Sequence, residues 1–147
     1  MLPAIIIPAY QPTEYLLQLV DNINSQLDNN NIIINDGSSP EHQNIFDKLK
    51  HYKNIDILDH HSNHGKGAAL KTAFKYFLEN SKYKQNPGVI TADADGQHLV
   101  EDIKNINNIF LDNNHCLILG SRKFEQDIPI KSKIGNEVTK KVFKLLI

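Results

Sequence analysis

Short, nearly continuous runs of Ile, Val and Leu recur along this chain, each followed by a polar loop. They lie at 4–7, 32–34, 55–58, 89–92 and 116–119. The absence of apolar/polar alternation within them is what strands buried on both faces require. Most of the intervening stretches have helical spacing instead. One spans 13–27, with Leu16, Leu17, Leu19, Val20, Ile23 and Leu27 apolar; a shorter one follows Pro40, with Ile45, Phe46 and Leu49. A third spans 66–80, with Ala69, Leu70, Ala73, Phe74 and Phe77, and a fourth 100–111, with Ile103, Ile106, Ile109 and Phe110. Strands alternating with helices predict an α/β fold with a mostly parallel sheet and right-handed crossovers. At 147 residues the chain is expected to form one domain.

The polar residues fall at telling places. Pro8-Ala9-Tyr10-Gln11-Pro12 follows the first run, and Asn35-Asp36-Gly37-Ser38-Ser39 follows the second. His60-His61-Ser62-Asn63-His64-Gly65-Lys66-Gly67 follows the third, Asp93 and Asp95 the fourth, and Gly120-Ser121-Arg122 the fifth. In an open parallel sheet these loops share one edge, the edge where ligands bind. Asp36 can accept hydrogen bonds from a nucleobase edge, or serve as an Asx-turn or helix cap. Tyr10 can border a base or pack against a helix. The amides and ammonium of Gly65-Lys66-Gly67, ahead of a helix, can meet an anion. That segment lacks the spacing of a P-loop.

Asp93-Ala94-Asp95-Gly96-Gln97 puts two carboxylates one residue apart, with an amide oxygen nearby. In an extended chain ending, Asp93 and Asp95 would point to the same side. Such hard oxygen ligands suit Mg²⁺ or Mn²⁺, a metal most useful beside a diphosphate. An EF-hand reading fails because Thr91 would stand at the first loop position and a strand precedes it. An aspartyl-nucleophile phosphatase is disfavoured by Gln97, where Thr or Val is usual. His60, His61, His64 and His98 have no ordered ligand spacing and one cysteine to accompany them, so they read as surface histidines rather than zinc ligands.

Cys116 lies in an apolar run and reads as a small core residue. A single cysteine excludes an internal disulfide. The apolar N-terminus is too short for a signal peptide, and no stretch reaches the length of a transmembrane helix, which points to the cytosol. The Asn-rich patches at 29–31, 105–108 and 113–114 read as compositional bias. Charge is uneven. From Arg122 onward, seven basic residues face three acidic ones, a net of +4; with −1 overall, the first 121 residues carry −5. A basic tail of this kind is either a solvated helix face or a surface for phosphate or anionic membrane; nothing in the overall charge suggests nucleic acid.

Taken in order, Pro8-Ala9-Tyr10, Asn35-Asp36-Gly37-Ser38, His64-Gly65-Lys66-Gly67-Ala68-Ala69-Leu70, Asp93-Ala94-Asp95-Gly96-Gln97-His98 and Gly120-Ser121-Arg122 resemble family 2 glycosyltransferases. The likeness is greatest to dolichyl-phosphate mannosyltransferase and bacterial polyprenyl-phosphate hexosyltransferases, and it covers essentially the whole chain. It implies a GT-A fold, a Rossmann-like three-layer α/β/α sandwich. It also implies roles. Pro8, Tyr10 and Asp36 would line the base and ribose pocket of a UDP- or GDP-hexose, with Lys66 near the nucleotide. Asp93 and Asp95, with Gln97, would form the metal motif for Mg²⁺ or Mn²⁺. Arg122 would face phosphate, and Lys131 and Lys133 the phosphate of a lipid acceptor. The expected reaction is metal-assisted inverting transfer of a hexose to a polyprenyl phosphate, with Asp95 and Arg122 as catalytic groups, at the inner face of the cell membrane. Residues 1–121 would form the nucleotide-sugar core, and 122–147 a basic acceptor-side loop and amphipathic helix of the same domain.

The relatives continue with Asp-Thr-x-x-Gly-(Leu/Phe)-(Arg/Lys) and membrane-associating helices, so this chain reads as C-terminally shortened. Ile134, Val138, Val142, Leu145 and Leu146 would give its last helix an apolar face for a membrane, an acceptor groove, a second copy or a partner chain. Two alternatives follow: a non-catalytic domain that binds nucleotide or a partner, and a sugar nucleotidyltransferase. The Gly-rich N-terminal loop usual in the latter is missing.

Overall fold

The structure, a computed structural model, describes residues 1–95, 100–113, 116–118 and 120. Four strands form one parallel sheet: β1 (Ala4–Ala9), β2 (Asn31–Asp36), β3 (Ile55–His60) and β4 (Val89–Thr91), in the order β3-β2-β1-β4. Helix α1 (Glu14–Gln26) joins β1 to β2, and α2 (Gln43–Leu49), entered through a 3₁₀ turn at Pro40–His42, joins β2 to β3. Helix α3 (Lys66–Glu79) joins β3 to β4, and α4 (Val100–Asp112) follows β4. All four helices match the predicted spacing. Thr13 caps α1, its side chain accepting from the Tyr15 N–H, because a hydroxyl there satisfies a donor the first turn leaves open.

Strand alternation assigns the two faces. Ile5, Ile7 and Ile33 pack beneath Leu16, Val20 and Ile23 of α1, Phe46 and Leu49 of α2, and Ile103 of α4. Ala4, Ile6, Ile32 and Ile34 face Ala69 and Ala73 of α3 and the buried ring of Tyr83. The result is a three-layer α/β/α sandwich. Phe46 is fully buried, and its loss to Ala would cost about 3–5 kcal/mol. Helices α1 and α2 cover one face as the chain moves outward from β1 to β3. Helix α3 covers the other as the chain returns past β1 to β4, which is what one consistent crossover hand demands. The strand order therefore reverses between β1 and β4.

Two expectations change here. The described part of the fifth run, 116–118, is not a strand. Turns from Asn113 N–H to the Phe110 carbonyl and from Cys116 N–H to the Asn113 carbonyl use this segment to leave α4. Leu117 is 86% exposed and Cys116 is exposed, not a core residue. A three-residue apolar run cannot announce a strand unless an edge receives it.

The asparagines, second, are more than compositional. Asn29, Asn31 and Asn107 are buried. Asn29 donates to the Pro3 carbonyl at 2.6 Å, and the Asn29 and Asn107 side chains exchange hydrogen bonds at 3.3 and 3.2 Å. Asn54 donates to Asn24 Oδ1 at 2.7 Å and the Asn29 carbonyl at 2.9 Å, while Asn86 donates to the Leu2 carbonyl at 2.7 Å. These amides close off the N-terminal ends of the strands, where buried backbone groups need partners.

Candidate nucleotide site at the sheet edge

At the opposite, C-terminal ends of the strands a cavity of about 630 Å³ opens over the point where strand order reverses. Its walls come from four loops: Pro8, Tyr10, Gln11, Pro12 and Thr13 after β1; Asp36 ending β2; Asn63, Gly65 and Lys66 after β3; Asp93, Ala94 and Asp95 after β4. Tyr15, on α1, completes it. Pro8, Tyr10, Asp36, Lys66, Asp93 and Asp95, singled out in the sequence, thus line one cavity. Gln97, His98, Arg122, Lys131, Lys133 and the C-terminal helix lie outside the described residues.

The loops are fastened to one another. Gln11 N–H donates to Ser38 Oγ at 2.9 Å, and Ser38 N–H donates to Asn35 Oδ1 at 2.9 Å. Asn35 in turn donates to Asp59 on β3 at 2.9 Å. His42 Nδ1 meets the Pro12 carbonyl at 2.8 Å. Gly37 has φ +69°, and a Cβ there would collide with the backbone of Ser62 and Asn63, so only glycine lets the β2 and β3 loops close on each other. Gln11 also adopts a left-handed φ of 48°, a conformation that a non-glycine residue holds only where its surroundings enforce it.

Asp36 is the most constrained group of the site. It is 2% exposed. Its Oδ1 accepts from His64 N–H at 3.0 Å and meets His60 Nδ1 at 2.7 Å, and its Oδ2 accepts from Gly65 N–H at 2.8 Å. Burial pushes the carboxyl upward, but the bonds from His64, His60 and Gly65 outweigh it and hold the pKa below the ordinary carboxylate value. Asp36 is therefore an anion that shapes the 60–65 loop as well as a wall of the cavity. His60 corrects the sequence reading: its side chain is only 14% exposed, so it is not a surface histidine. Alternation could have revealed it. Asp56, Leu58 and His60 fall on one side of β3, facing α3, and His60 sits in register beside Asp36.

Lys66 Nζ donates to Asp93 Oδ1 across the cavity mouth, both groups partly exposed. Strand β4 ends at Thr91, and Ala94 and Asp95 lie in a turn, so the two carboxylates converge through a turn rather than by strand alternation. Among the described residues no group of three or more His, Cys, Asp or Glu is placed to hold a metal ion. Two carboxylates nevertheless fit Mg²⁺ or Mn²⁺, because such ions are commonly held by one or two carboxylates with phosphate oxygens and water completing the shell. The Lys66 ammonium on Asp93 marks that carboxylate as one that already receives a cation.

Comparison with known proteins agrees with this geometry. The family model described as glycosyl transferase family 2 matches residues 4–141. A UDP-N-acetylglucosamine–dolichyl-phosphate N-acetylglucosaminyltransferase of Methanococcus voltae is 27% identical over 150 residues, covering 90% of this chain and 58% of that protein. A dolichyl-phosphate beta-glucosyltransferase of Trichomonas vaginalis is 26% identical over 155 residues, covering 95% of this chain and 44% of that protein. The chain thus spans about half the length of the curated relatives it matches. Among solved structures, residues 1–349 of S. aureus TarS superpose with a TM-score of 0.58 at 19% identity, over 88% of this chain and 38% of that one. TarS in complex with UDP-GlcNAc gives 0.52 at 19% identity, over 86% and 37%. The TarS likeness establishes the GT-A fold. With its family model spanning nearly its full length, the chain belongs to glycosyl transferase family 2.

Proposed function

We propose that this chain binds a UDP- or GDP-hexose in the cavity at the sheet edge and transfers the hexose, with inversion, to a polyprenyl phosphate. The observation that carries the reading is the meeting of Pro8, Tyr10, Asp36, Lys66, Asp93 and Asp95, from four separate loops, on one cavity at the strand-order reversal. Tyr10, half exposed at the mouth, offers a ring to the base. Asp36 presents an ionised acceptor edge to it. Lys66 leaves Asp93 to meet the diphosphate. Asp93 and Asp95, with Gln97, would hold Mg²⁺ or Mn²⁺, whose chemistry when bound is to stabilise negative charge on the departing diphosphate. Arg122 adds positive charge to the same end, and Lys131 and Lys133 receive the acceptor phosphate. An acceptor phosphate is already anionic, so its oxygen attacks the anomeric carbon without a general base while the bond to the diphosphate breaks on the opposite face.

The acceptor assignment is supported by the dolichyl-phosphate relatives, and the donor by the UDP-GlcNAc held by TarS. Among the described residues no helix is long and apolar enough to cross a membrane. The proposed location is peripheral, at the cytoplasmic face, reached through the basic C-terminal segment. The test is transfer of radiolabel from UDP-N-acetylglucosamine, UDP-glucose or GDP-mannose to polyprenyl phosphate in vesicles containing Mn²⁺. Organic-extractable label that disappears with EDTA is the expected result. Because the chain spans about half the length of its relatives, a second reading is kept: nucleotide binding without transfer. Metal-dependent binding with no extractable label would select it.

A further inference from the structure

His60 has no part in the chemistry just described, yet it connects three elements. Its Nδ1 lies 2.7 Å from Asp36 Oδ1 at the end of β2, and its Nε2 lies 2.9 Å from Thr72 Oγ1 on α3. An ionised carboxylate only accepts, so Nδ1 carries the proton. In the neutral ring Nε2 then accepts from the Thr72 hydroxyl, and the ring orientation is fixed at both ends. The Asp36 carboxylate is buried, and the other two of its three bonds come from His64 and Gly65 amides on the loop that starts at His60. Asp36 thus has one side-chain partner and two backbone partners, all from the same segment. We propose that His60, held by Thr72, is a positioning residue: it sets the Asp36 carboxylate and the 60–65 loop in the cavity wall, and thereby sets nucleotide affinity without touching the nucleotide. This rests on the reading that Asp36 faces the nucleotide.

The experiment is calorimetric titration of UDP and GDP, with Mn²⁺, into the wild-type chain and into His60→Ala, His60→Asn, Thr72→Val, Asp36→Asn and the His60→Ala/Asp36→Asn double variant, with thermal midpoints for each. His60→Ala is expected to weaken binding about tenfold, the effect of losing one bond to a charged group. His60→Asn, whose amide can reach Asp36 from the Nδ1 position, should restore most of it, and Thr72→Val should cost about threefold. In the double variant the losses should fall well short of multiplying, because His60 acts through Asp36. A loss of thermal stability alone would not produce that pattern in folded samples. Folded His60→Ala with wild-type affinity, or fully multiplying losses, would overturn the proposal while leaving the nucleotide reading intact. If His60→Ala does not fold, unchanged affinity in Thr72→Val together with a tenfold loss in His60→Asn overturns it equally. No binding by the wild-type chain defeats the nucleotide reading itself.

Discussion

At the N-terminal ends of the strands, buried asparagines bond to one another and to backbone carbonyls; at the C-terminal ends, charged groups converge on an open cavity. Both ends are polar, and the sheet is common to both. The difference lies in what the polar groups do. Asn29, Asn54, Asn86 and Asn107 are neutral and spend their hydrogen bonds inside the protein, joining segments as far apart as Asn29 and Asn107. Asp36, Lys66, Asp93 and Asp95 are ionisable, and all line the cavity. Burying polar side chains therefore does not mark a site by itself. Charge brought to an open cavity at the strand-order reversal does.

The sharpest way to break this contrast is at Asp95. Asp95→Ala should lower metal-dependent nucleotide affinity by about 100-fold or more, since even groups that only orient metal ligands cost 10–100-fold. Its thermal midpoint should be unchanged. Calorimetry with Mn²⁺ checks it, and undiminished binding would remove the metal assignment. At the other end the signs reverse. Asn29→Ala strips partners from the Pro3 carbonyl and the Asn107 amide, both inside the fold, and should destabilise by about 2–4 kcal/mol in urea titration while nucleotide affinity of the folded fraction holds. A drop in affinity with no loss of stability would show that the two ends are not separable.

Asp36 combines both behaviours. Asp36→Asn turns an accepting oxygen into an amide facing a Gly65 or His64 N–H, and should weaken nucleotide binding about tenfold. It also sharpens the comparison through pH. The folded state holds the Asp36 carboxyl below its ordinary value, so the stability it contributes is complete above pH about 4 and is lost as pH falls through the depressed value. Asp56, depressed by its bonds to Lys82, Tyr83 and Tyr76 against the opposing effect of burial, adds a slope of the same sign. Urea midpoints measured between about pH 5 and pH 3 should fall for the wild type and fall less for Asp36→Asn. Parallel falls would place the linkage elsewhere. The smallest effect is expected at Lys66, whose pairing with Asp93 is partly exposed. Lys66→Met should weaken nucleotide binding about threefold with little change in stability.

Much of this was legible beforehand because it is local. The Thr13 cap, the Pro40 entry to α2 and the apolar spacing of α1, α3 and α4 depend on neighbours within a few residues. The cavity residues were legible because loops that follow parallel strands must share an edge. What escaped depends on distant partners. His60 is one of four similar histidines in sequence, and only its register beside Asp36 and its contact with Thr72 distinguish it. The Asn29–Asn107 pair joins residues 78 positions apart, beyond the reach of any spacing rule. The run at 116–118 had the composition of a strand, but turns at the end of α4 consume it.

The central claim is that the C-terminal edge is a nucleotide site completed by a divalent metal. Calorimetric titration of the chain with UDP and with GDP, each with and without Mn²⁺, tests it most directly. The account predicts saturable binding of one of the two nucleotides that requires Mn²⁺ and is lost in Asp95→Ala. A folded chain that binds neither nucleotide, or binds equally with and without Mn²⁺, would contradict it.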